Sequence, residues 1–550
     1  MNSNKKILVG VVMAIPLGIF FWTIHQTAID FFYADDFHLF KTMVWAQEAT
    51  SWDEVFKLFI QQHNEHRIVV PRLITLIDYW IEGHVNFRTL IFLGNLSWVG
   101  VTYLLWKRLS LLQLPFQYFL PVPFLLFQPQ FSDNITWAIS GLQQTVIVFW
   151  AFLIIHLLSQ QIRFGLVCFL TIIATFTHGN GMFIFGVGLC LLLLQKNWKP
   201  LIIWTLLMIC VASFYFWNYQ AGQNSNLAES LGNPIRLLSG FFAFFGSATL
   251  VFSSNPTWAI ALGLCLFVLM SWLIIKPLVV YYQGKKLDNN ALFFLGTYLF
   301  LCITAALVSL SRSWGGIENI LMTRYAHYSP LTISLVFLLL YHKFCTNNNH
   351  KLVYLGLSTV AVAFCLVSYL KFTPDLINRK NALLADAYNW KHHQLMLGYA
   401  KSFNDNIQDV VLKAEKGGIL NNEVLIEEAL KSPHVHLDTT IQLIIKPFSV
   451  FEQDASGKYE RKYFSLENDR LTPTNFLVLQ ANQQTYLCPV LQTLASKRKI
   501  LTDGKWFTKG FKANLLTESL KKSSYQISIL HVDEGNNQVI DLYQLLDLTK

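Results

Sequence analysis

The sequence predicts an all-α polytopic membrane protein with about 11 transmembrane helices and a small extracytoplasmic α+β domain at the C-terminus. Of its 550 residues 53% are hydrophobic and 14% are charged, whereas soluble proteins carry roughly 25% charged residues. The charge is also uneven, since residues 1–370 hold only 20 of the 42 Lys and Arg and 13 of the 33 Asp and Glu. This composition excludes an ordinary soluble enzyme and a disordered protein.

The formal net charge of +9 does not indicate nucleic-acid binding, because the basic residues are scattered between apolar stretches and are better explained as topology signals. The positions of the cysteines also follow the division into apolar and polar parts. Seven lie in or beside apolar stretches: Cys168, Cys190, Cys210, Cys265, Cys302, Cys345 and Cys365. Only Cys488 lies in the polar part, and no CxxC pair occurs. This pattern argues against a disulfide framework and against a cysteine zinc site.

The first predicted span runs from Ile7 to Gln26, after a short charged start. Its apolar stretch is longer than a signal-peptide core, and no small-residue cleavage site follows it. We therefore expect an uncleaved span with a cytoplasmic N-terminus.

Ten further spans are expected between positions 87 and 370. They lie near 87–106, 112–128, 144–159, 164–177, 181–195, 200–218, 257–278, 290–310, 329–343 and 352–370. Alternate breaks between them carry Lys or Arg, which is the positive-inside pattern of an inner membrane. The stretch 236–253 would invert this pattern if it were a span, so we expect a re-entrant or interfacial helix there.

The more polar remainder divides into a helical segment, 371–435, and a β-rich domain, 436–550. Gly417-Gly418 is a typical helix stop. SYQISILHV and QVIDLYQLL flank the turn-like DEGNN, which predicts a β-hairpin. Residues 1–370 form the transmembrane domain in this scheme.

Nine of the 13 acids in residues 1–370 lie between positions 30 and 82, in the first expected outer loop. The central motif is YADDFHLF, with Asp35 and Asp36 just beyond the first span. Carboxylates at a lipid boundary are partly desolvated, which suits a general base or a ligand of a divalent metal such as Mg²⁺ or Mn²⁺. The alternative is a solvated loop in which the acids cap a helix.

The motif HNEHRIVVPRL follows in the same loop and contains His63, His66, Arg67 and Arg72. If it were helical up to Pro71, then His63, His66 and Arg67 would share one face and could bind a phosphate. A histidine metal pair is possible on the same residues, and arginines that reach lipid head groups are another alternative.

The loop SRSWGGIENILMTRYAHYSP is cationic although it is expected outside, which suggests anion binding. Its candidate phosphate ligands are Arg312 and Arg324, and Gly315-Gly316 would let backbone N–H groups approach an anion. Its other polar or aromatic candidates are Glu318, Tyr325, His327 and Tyr328.

Two further polar clusters are expected on the same side of the membrane. Their residues are Asn134, Trp137, Gln143 and Gln144 in one cluster and His178 and Asn180 in the other. Tryptophan beside amide side chains suits sugar binding, because ring faces stack on sugars and amides bind hydroxyls. Trp137 alone is better explained as an interfacial anchor.

At these residues the chain resembles membrane glycosyltransferases of the GT-C class. The order is DDF, EHRxxxxRL, PQxxxNxxWxxxxxQ, a GNG turn and then RY, within residues 1–370. The resemblance implies that Asp35 or Asp36 is the base or metal ligand. It also implies a polyprenyl-phosphate-linked sugar as donor, bound from the outer side.

We therefore expect a bacterial inner-membrane enzyme that transfers this sugar to an extracytoplasmic glycan, lipid or protein, with membrane lipid as its surroundings and no nucleic-acid partner. In this scheme His63, His66, Arg67, Arg72, Arg312 and Arg324 bind the donor phosphate. Asn134, Trp137, Gln143, His178, Asn180 and Tyr325 bind the sugar or acceptor. A lipid-glycan polymerase or ligase is the alternative. A transporter or flippase is disfavoured because mid-span charges are few and no internal repeat is visible.

Overall fold

The computed structural model describes residues 3–548 apart from 221, 223–224, 345–349, 422–425, 427–433, 438–440, 455–456, 471–474, 483 and 533–537. The chain divides into two compact units. Unit 1 comprises Met1–Gln26, Ala49–Ile77 and Thr89–Phe372. Unit 2 comprises Thr27–Glu48, Asp78–Arg88 and Thr373–Lys550, so it takes two segments of the first expected outer loop together with the C-terminal part.

Most of the described chain is helical. In chain order the helices are α1 (Ser3–Thr27), α2 (Phe37–Glu48), α3 (Trp52–Ile60), α4 (Val69–Glu82), α5 (Phe87–Leu111), α6 (Pro121–Leu126), α7 (Ser132–Thr136), α8 (Ala138–Ser140), α9 (Val146–Ser159), α10 (Phe164–Thr175), α11 (Phe183–Leu194), α12 (Trp198–Tyr215), α13 (Leu227–Gly232), α14 (Pro234–Gly246), α15 (Pro256–Tyr282), α16 (Asn289–Arg312), α17 (Tyr328–Phe344), α18 (His350–His393), α19 (Lys401–Lys416) and α20 (Lys497–Asp503).

Eight helical stretches in the described part of the chain are long and apolar enough to cross a membrane. They are Lys6–Thr27, Phe87–Leu111, Ala138–Ser159, Trp198–Tyr215, Pro234–Val251, Pro256–Tyr282, Asn289–Gly315 and Leu352–His393. These helices are consistent with a multi-pass membrane protein. The expected number of 11 spans is not confirmed.

The expected span at 112–128 is not one helix. It contains a short 3₁₀ turn, Phe116–Phe119, and the six-residue α6. Proline cannot donate a backbone hydrogen bond, and Pro115, Pro121 and Pro123 interrupt helix formation here. The expected spans at 164–177 and 181–195 are helices too, but they are shorter than a typical span.

The stretch expected to be re-entrant forms α14 and a 3₁₀ turn, Ser247–Val251. Its length and apolar composition are those of a span. It packs closely on α15, since a Cβ at Gly246 would lie 1.9 Å from the carbonyl oxygen of Ala259, and one at Gly263 would lie 1.7 Å from that of Phe242. Only glycines permit this approach. Because the stretch is as long and apolar as a span, the prediction of a re-entrant helix is not confirmed.

The strands lie in one hairpin of unit 1 and two sheets of unit 2. They are β1 (Gln62–His63), β2 (His66–Arg67), β3 (His434–Leu437), β4 (Ile444–Asp454), β5 (Gly457–Asn468), β6 (Phe476–Ala481), β7 (Gln484–Pro489), β8 (Leu491–Leu494), β9 (Phe507–Leu516), β10 (Ser524–His531) and β11 (Gln538–Asp547). The sheet orders are β3-β11-β10-β6-β7 and β4-β5-β9-β8.

The predicted hairpin strands at the C-terminus are confirmed, because β10 and β11 pair antiparallel. Its DEGNN turn lies outside the described residues, as do most of residues 422–432 of the expected helical segment. Gly417-Gly418 does end α19, with Gly418 at a φ of +67°.

The five-stranded sheet of unit 2 is covered on both faces, as the alternation along β6 shows. Leu477 and Leu479 belong to the core shared with the four-stranded sheet. Phe476 and Val478 pack instead with Ala385 of α18. Successive side chains of a strand point to opposite faces, so the continuous apolar run in β6 is what a strand between two layers requires.

Candidate functional site

The motif HNEHR folds as a β-hairpin, and the prediction that it is helical up to Pro71 is wrong. His63 pairs with His66, Gln62 pairs with Arg67, and helix α4 begins only at Val69. Residues directly opposite each other in a hairpin share a face. His63 and His66 therefore lie on one face of the hairpin, while Arg67 lies on the other face with Gln62.

The histidine face of this hairpin lies against the THGNG turn. The ring centroids of His66 and His178 are 4.1 Å apart at an interplanar angle of 44°. A Cβ at Gly179 would lie 2.6 Å from His66 Nδ1, so glycine is required for this approach. His178 Nδ1 accepts a hydrogen bond from the Asn180 N–H, and His178 Nε2 lies 3.3 Å from the amide of Gln144.

Two arginines and one carboxylate complete what we call the histidine–arginine cluster, which consists of Glu65, His66, His178, Arg312 and Arg324. Arg312 Nη2 lies 3.7 Å from Glu65 Oε2, with both side chains less than a fifth exposed. Arg324 has no carboxylate within ion-pair distance among the described residues. Its guanidinium lies 5.2 Å from the ring of Tyr325, and it contacts the Met322 sulfur at 3.1 Å.

The electrostatics of this cluster keep its histidines neutral. Burial and the charges of Arg312 and Arg324, opposed by Glu65, lower the pKa of His66 to about 4. Burial, with His66 and Arg312 as neighbours, holds the pKa of His178 well below its usual value. The positive charges of Arg312 and Arg324 both act on the buried His66 imidazole, and Glu65 opposes them. A positive charge held away from water is costly unless an anion compensates it.

The predicted sugar-binding amides have different surroundings. Asn134 is fully buried, and its amide group donates to the Arg324 carbonyl oxygen and to His327 Nδ1, while its oxygen accepts from the Ser140 hydroxyl. Both of its N–H groups and one acceptor site of its oxygen are used within the protein, so Asn134 fixes the Arg324 backbone and has no N–H left to donate to a sugar. Asn180 donates to the Thr304 hydroxyl, and its own oxygen lacks a partner in the described chain.

The other three residues predicted to bind the sugar are Gln143, Trp137 and Tyr325. For these the structure gives a position in the fold, and their role in sugar binding stays a prediction. Gln143 is buried in the π-helical turn Gly141–Thr145, beside Gln144. Trp137 follows α7 and is half-buried. Tyr325 is buried in the 3₁₀ turn Thr323–Tyr325.

Arg67 and Arg72 are held by backbone carbonyls. Arg67 donates to the carbonyl oxygens of Ile60, Tyr215 and Trp217. Arg72, which is 2% exposed, donates to those of Phe59 and Gln61 at the end of α3. Burial lowers the pKa of Arg72 to about 10. These arrangements are typical of structural arginines, and a role of either in phosphate binding stays a prediction.

The predicted acid pair belongs to unit 2, in the 3₁₀ turn Ala34–Asp36. Asp36 is 1% exposed and accepts a hydrogen bond from the Tyr33 N–H at 3.1 Å. Asp35 is half-buried. Ala34 has a φ of +46°, an uncommon conformation for alanine, and its N–H donates to the Tyr399 hydroxyl. The turn is therefore held in a defined shape that presents Asp35 rather than Asp36.

The turn is also flanked by a cation, since the guanidinium of Arg379 lies 4.2 Å from the ring of Tyr33. No group of three or more His, Cys, Asp and Glu side chains is placed to hold a metal ion within the described ranges. Asp35 and Asp36 could supply carboxylate ligands, and Mg²⁺ or Mn²⁺ at this pair stays a prediction.

Two residues that contact the THGNG turn, Gln144 and Thr304, were not among the site residues predicted from the sequence. Gln144 contacts His178, whereas the sequence favoured its neighbour Gln143. Thr304 contacts Asn180 from within the apolar helix α16. A threonine in an apolar helix does not by itself indicate function, because its hydroxyl can donate to a backbone carbonyl of the same helix. The Thr304 hydroxyl donates to the Phe300 carbonyl oxygen.

Comparison of the chain with models of protein families, with curated proteins and with solved structures gives no match.

Proposed function

We propose that this chain is a membrane glycosyltransferase, which moves a sugar from a polyprenyl-phosphate-linked donor to an extracytoplasmic glycan, lipid or protein of a bacterial inner membrane. The observation that supports this is the state of Arg324 in the histidine–arginine cluster. Arg324 lacks a carboxylate partner in the described chain, and its Nε is buried without a hydrogen-bond partner. A phosphate would supply both the missing charge and the missing acceptors.

The surroundings of the cluster favour a lipid-linked phosphate. Arg312 ends α16, one of the apolar helices long enough to span a membrane, and Gln144 lies in another. A phosphate attached to a polyprenyl chain reaches such a position from within the bilayer, whereas a soluble nucleotide would need an aqueous pocket and a nucleotide-binding motif. The sequence contains no Walker or GxGxxG motif.

In this proposal Arg312 and Arg324 stabilise the phosphate as it leaves the sugar, and the neutral imidazole of His66 hydrogen-bonds to it. His66 Nδ1 is buried without a partner in the described chain and is available for this. The base that takes the acceptor proton is assigned to Asp35 or Asp36, as the sequence predicts. That assignment is tested independently of the phosphate site.

The test is a titration of the protein in nanodiscs with a fluorescent polyprenyl phosphate, beside the uncharged polyprenol. Arg324→Ala and Arg312→Ala should each weaken phosphate binding by about 10- to 150-fold, the effect of one charge-assisted hydrogen bond. Arg236→Ala is the matched control, since Arg236 likewise lies 3.7 Å from a glutamate, Glu229. It should bind as wild type.

Melting curves of the same variants separate binding from folding. Unchanged phosphate affinity in both cluster variants, or equal affinity of the wild type for polyprenol, would refute the lipid-phosphate site. Sugar transfer itself is then measured with a radiolabelled polyprenyl-phosphate sugar and extracted cell-envelope acceptors.

A further inference from the structure

The second face of the β1–β2 hairpin borders a polar cleft of about 650 Å³. We call it the amide cleft; its lining residues are Lys57, Ile60, Gln61, Gln62, Asn64, Arg67, Trp217, Asn218, Gln220 and Gly222. All of them belong to unit 1. Five of the ten are Asn or Gln, and the volume lies in the range of small-molecule sites.

The wall of the amide cleft is fixed by hydrogen bonds across the hairpin and the segment after α12. Gln62 donates to the carbonyl oxygen of Gln220 at 2.6 Å and accepts from its N–H at 3.1 Å. Arg67 holds the carbonyls of Tyr215 and Trp217 in the same segment. Because these bonds join two distant parts of the chain, the cleft is formed before a ligand enters.

The two cations that line the cleft, Lys57 and Arg67, already have partners within the protein. Lys57 Nζ lies 2.5 Å from the carboxylate of Asp53, and the Arg67 guanidinium is bound by three carbonyl oxygens. A phosphate in the cleft would therefore compete with the Asp53 carboxylate for Lys57 and with three carbonyl oxygens for Arg67, which favours a neutral ligand.

The groups that remain available are amides and one aromatic face. The side chains of Gln61, Asn218 and Gln220 are exposed and bond to no other side chain or backbone group in the described chain. Each can both donate and accept hydrogen bonds, as a hydroxyl requires. Trp217, which is 55% exposed, lines the same cleft, and its ring offers an apolar face on which a sugar ring can stack.

The amide cleft adjoins the histidine–arginine cluster at Gly222. A Cβ on Gly222 would lie 2.5 Å from Cγ of Glu65, so the cleft lining and the cluster meet at this residue. From these observations we infer that the amide cleft binds a neutral, hydroxyl-rich ligand, namely the sugar portion of the acceptor. The acceptor role rests on the proposed function, whereas the sugar-binding chemistry rests on the cleft itself.

Tryptophan fluorescence of the protein in nanodiscs tests this inference, with neutral trisaccharides of glucose, mannose, galactose and N-acetylglucosamine as probes and inorganic phosphate as the anionic comparison. At least one trisaccharide should give a saturable change in the wild type. The change should be lost in Trp217→Leu and kept in the control Trp258→Leu, because Trp258 is similarly exposed (60%) but lies outside the cleft. Gln61→Leu and Gln220→Leu should weaken binding by about two- to tenfold each, and the exposed control Gln283→Leu should not.

The inference is overturned if no trisaccharide saturates the wild type, if Trp217→Leu responds like Trp258→Leu, or if phosphate alone binds. Affinity for polyprenyl phosphate should stay at the wild-type value in all the cleft variants. The trisaccharide titrations therefore test the amide cleft alone. Unchanged polyprenyl-phosphate affinity in Arg312→Ala and Arg324→Ala would refute the proposed donor site without bearing on sugar binding in the cleft.

Discussion

The imidazoles of His66 and His178 lie 4.1 Å apart, centroid to centroid, although 112 positions separate them in the chain. Each ring excludes water from the other, and Arg312 lies close enough to disfavour protonation of both. The neutral His66 can donate a hydrogen bond to an anion without adding a positive charge beside the two arginines.

The first prediction concerns the glycine that permits this contact. Gly179→Ala places a methyl group 2.6 Å from His66 Nδ1, so the hairpin must shift. We expect a loss of about 1–3 kcal/mol in the free energy of unfolding and weaker polyprenyl-phosphate binding. Gly186→Ala is the control, since no atom lies within 4 Å of the added methyl. Equal melting temperatures of the two variants would contradict the described contact.

The second prediction concerns acid stability. The unfolded chain protonates His66 near pH 6.5, whereas the folded chain does so only near pH 4. Between these values the unfolded state binds more protons, so stability rises with pH across the window and is fully present above it. The melting temperature should fall on acidification through this range, less steeply in His66→Gln. The exposed control His342→Gln should follow the wild type; equal slopes for all three would count against a neutral buried His66.

The third prediction separates structural arginines from binding ones. Arg72→Ala leaves the last carbonyls of α3 without donors in a buried place, at a cost of about 1–3 kcal/mol. We expect a lower melting temperature with no selective loss of phosphate affinity in the fraction that folds. Arg324→Ala should show the opposite pattern. If Arg72→Ala lost phosphate binding at unchanged stability, Arg72 would belong to the phosphate site after all.

The fourth prediction concerns the acid pair, whose members differ in burial. Asp36→Asn replaces the carboxylate that accepts the hydrogen bond of the Tyr33 N–H with a weaker, neutral acceptor. Because Asp36 is buried in unit 2, this change should lower thermal stability. Asp35→Asn changes the more accessible acid and should melt like the wild type. At least one of the two should lower sugar transfer by about 10²–10⁴-fold, as for loss of a general base. Near-full transfer in both would leave the pair as a structural cap.

The features predicted correctly are those encoded locally. An apolar stretch of span length has few alternatives to a helix, so α1, α5, α15 and α16 follow from composition. The alternation in residues 524–546 likewise specifies two strands. The number of spans was less certain, because prolines and short breaks decide where an apolar run stops being one helix.

The candidate site depended on contacts that no local pattern encodes. The two-residue strands β1 and β2 are too short for a periodic signal, so a helix was expected where a hairpin forms. Residues 27–48 join unit 2 through an aromatic core in which Phe32 lies 6.0 Å from the Trp390 ring, a partner that the order of the chain does not reveal.

The sequence by itself determined the apolar helices, the change to a polar C-terminal part and the residue types available for chemistry, because composition and periodicity act over a few neighbouring residues. Only the tertiary structure decided which arginines are bound by backbone carbonyls and which lie beside the buried histidines. Arg67, Arg72, Arg312 and Arg324 look alike in the sequence. Whether a guanidinium has a partner depends on backbone atoms that folding brings to it from far along the chain.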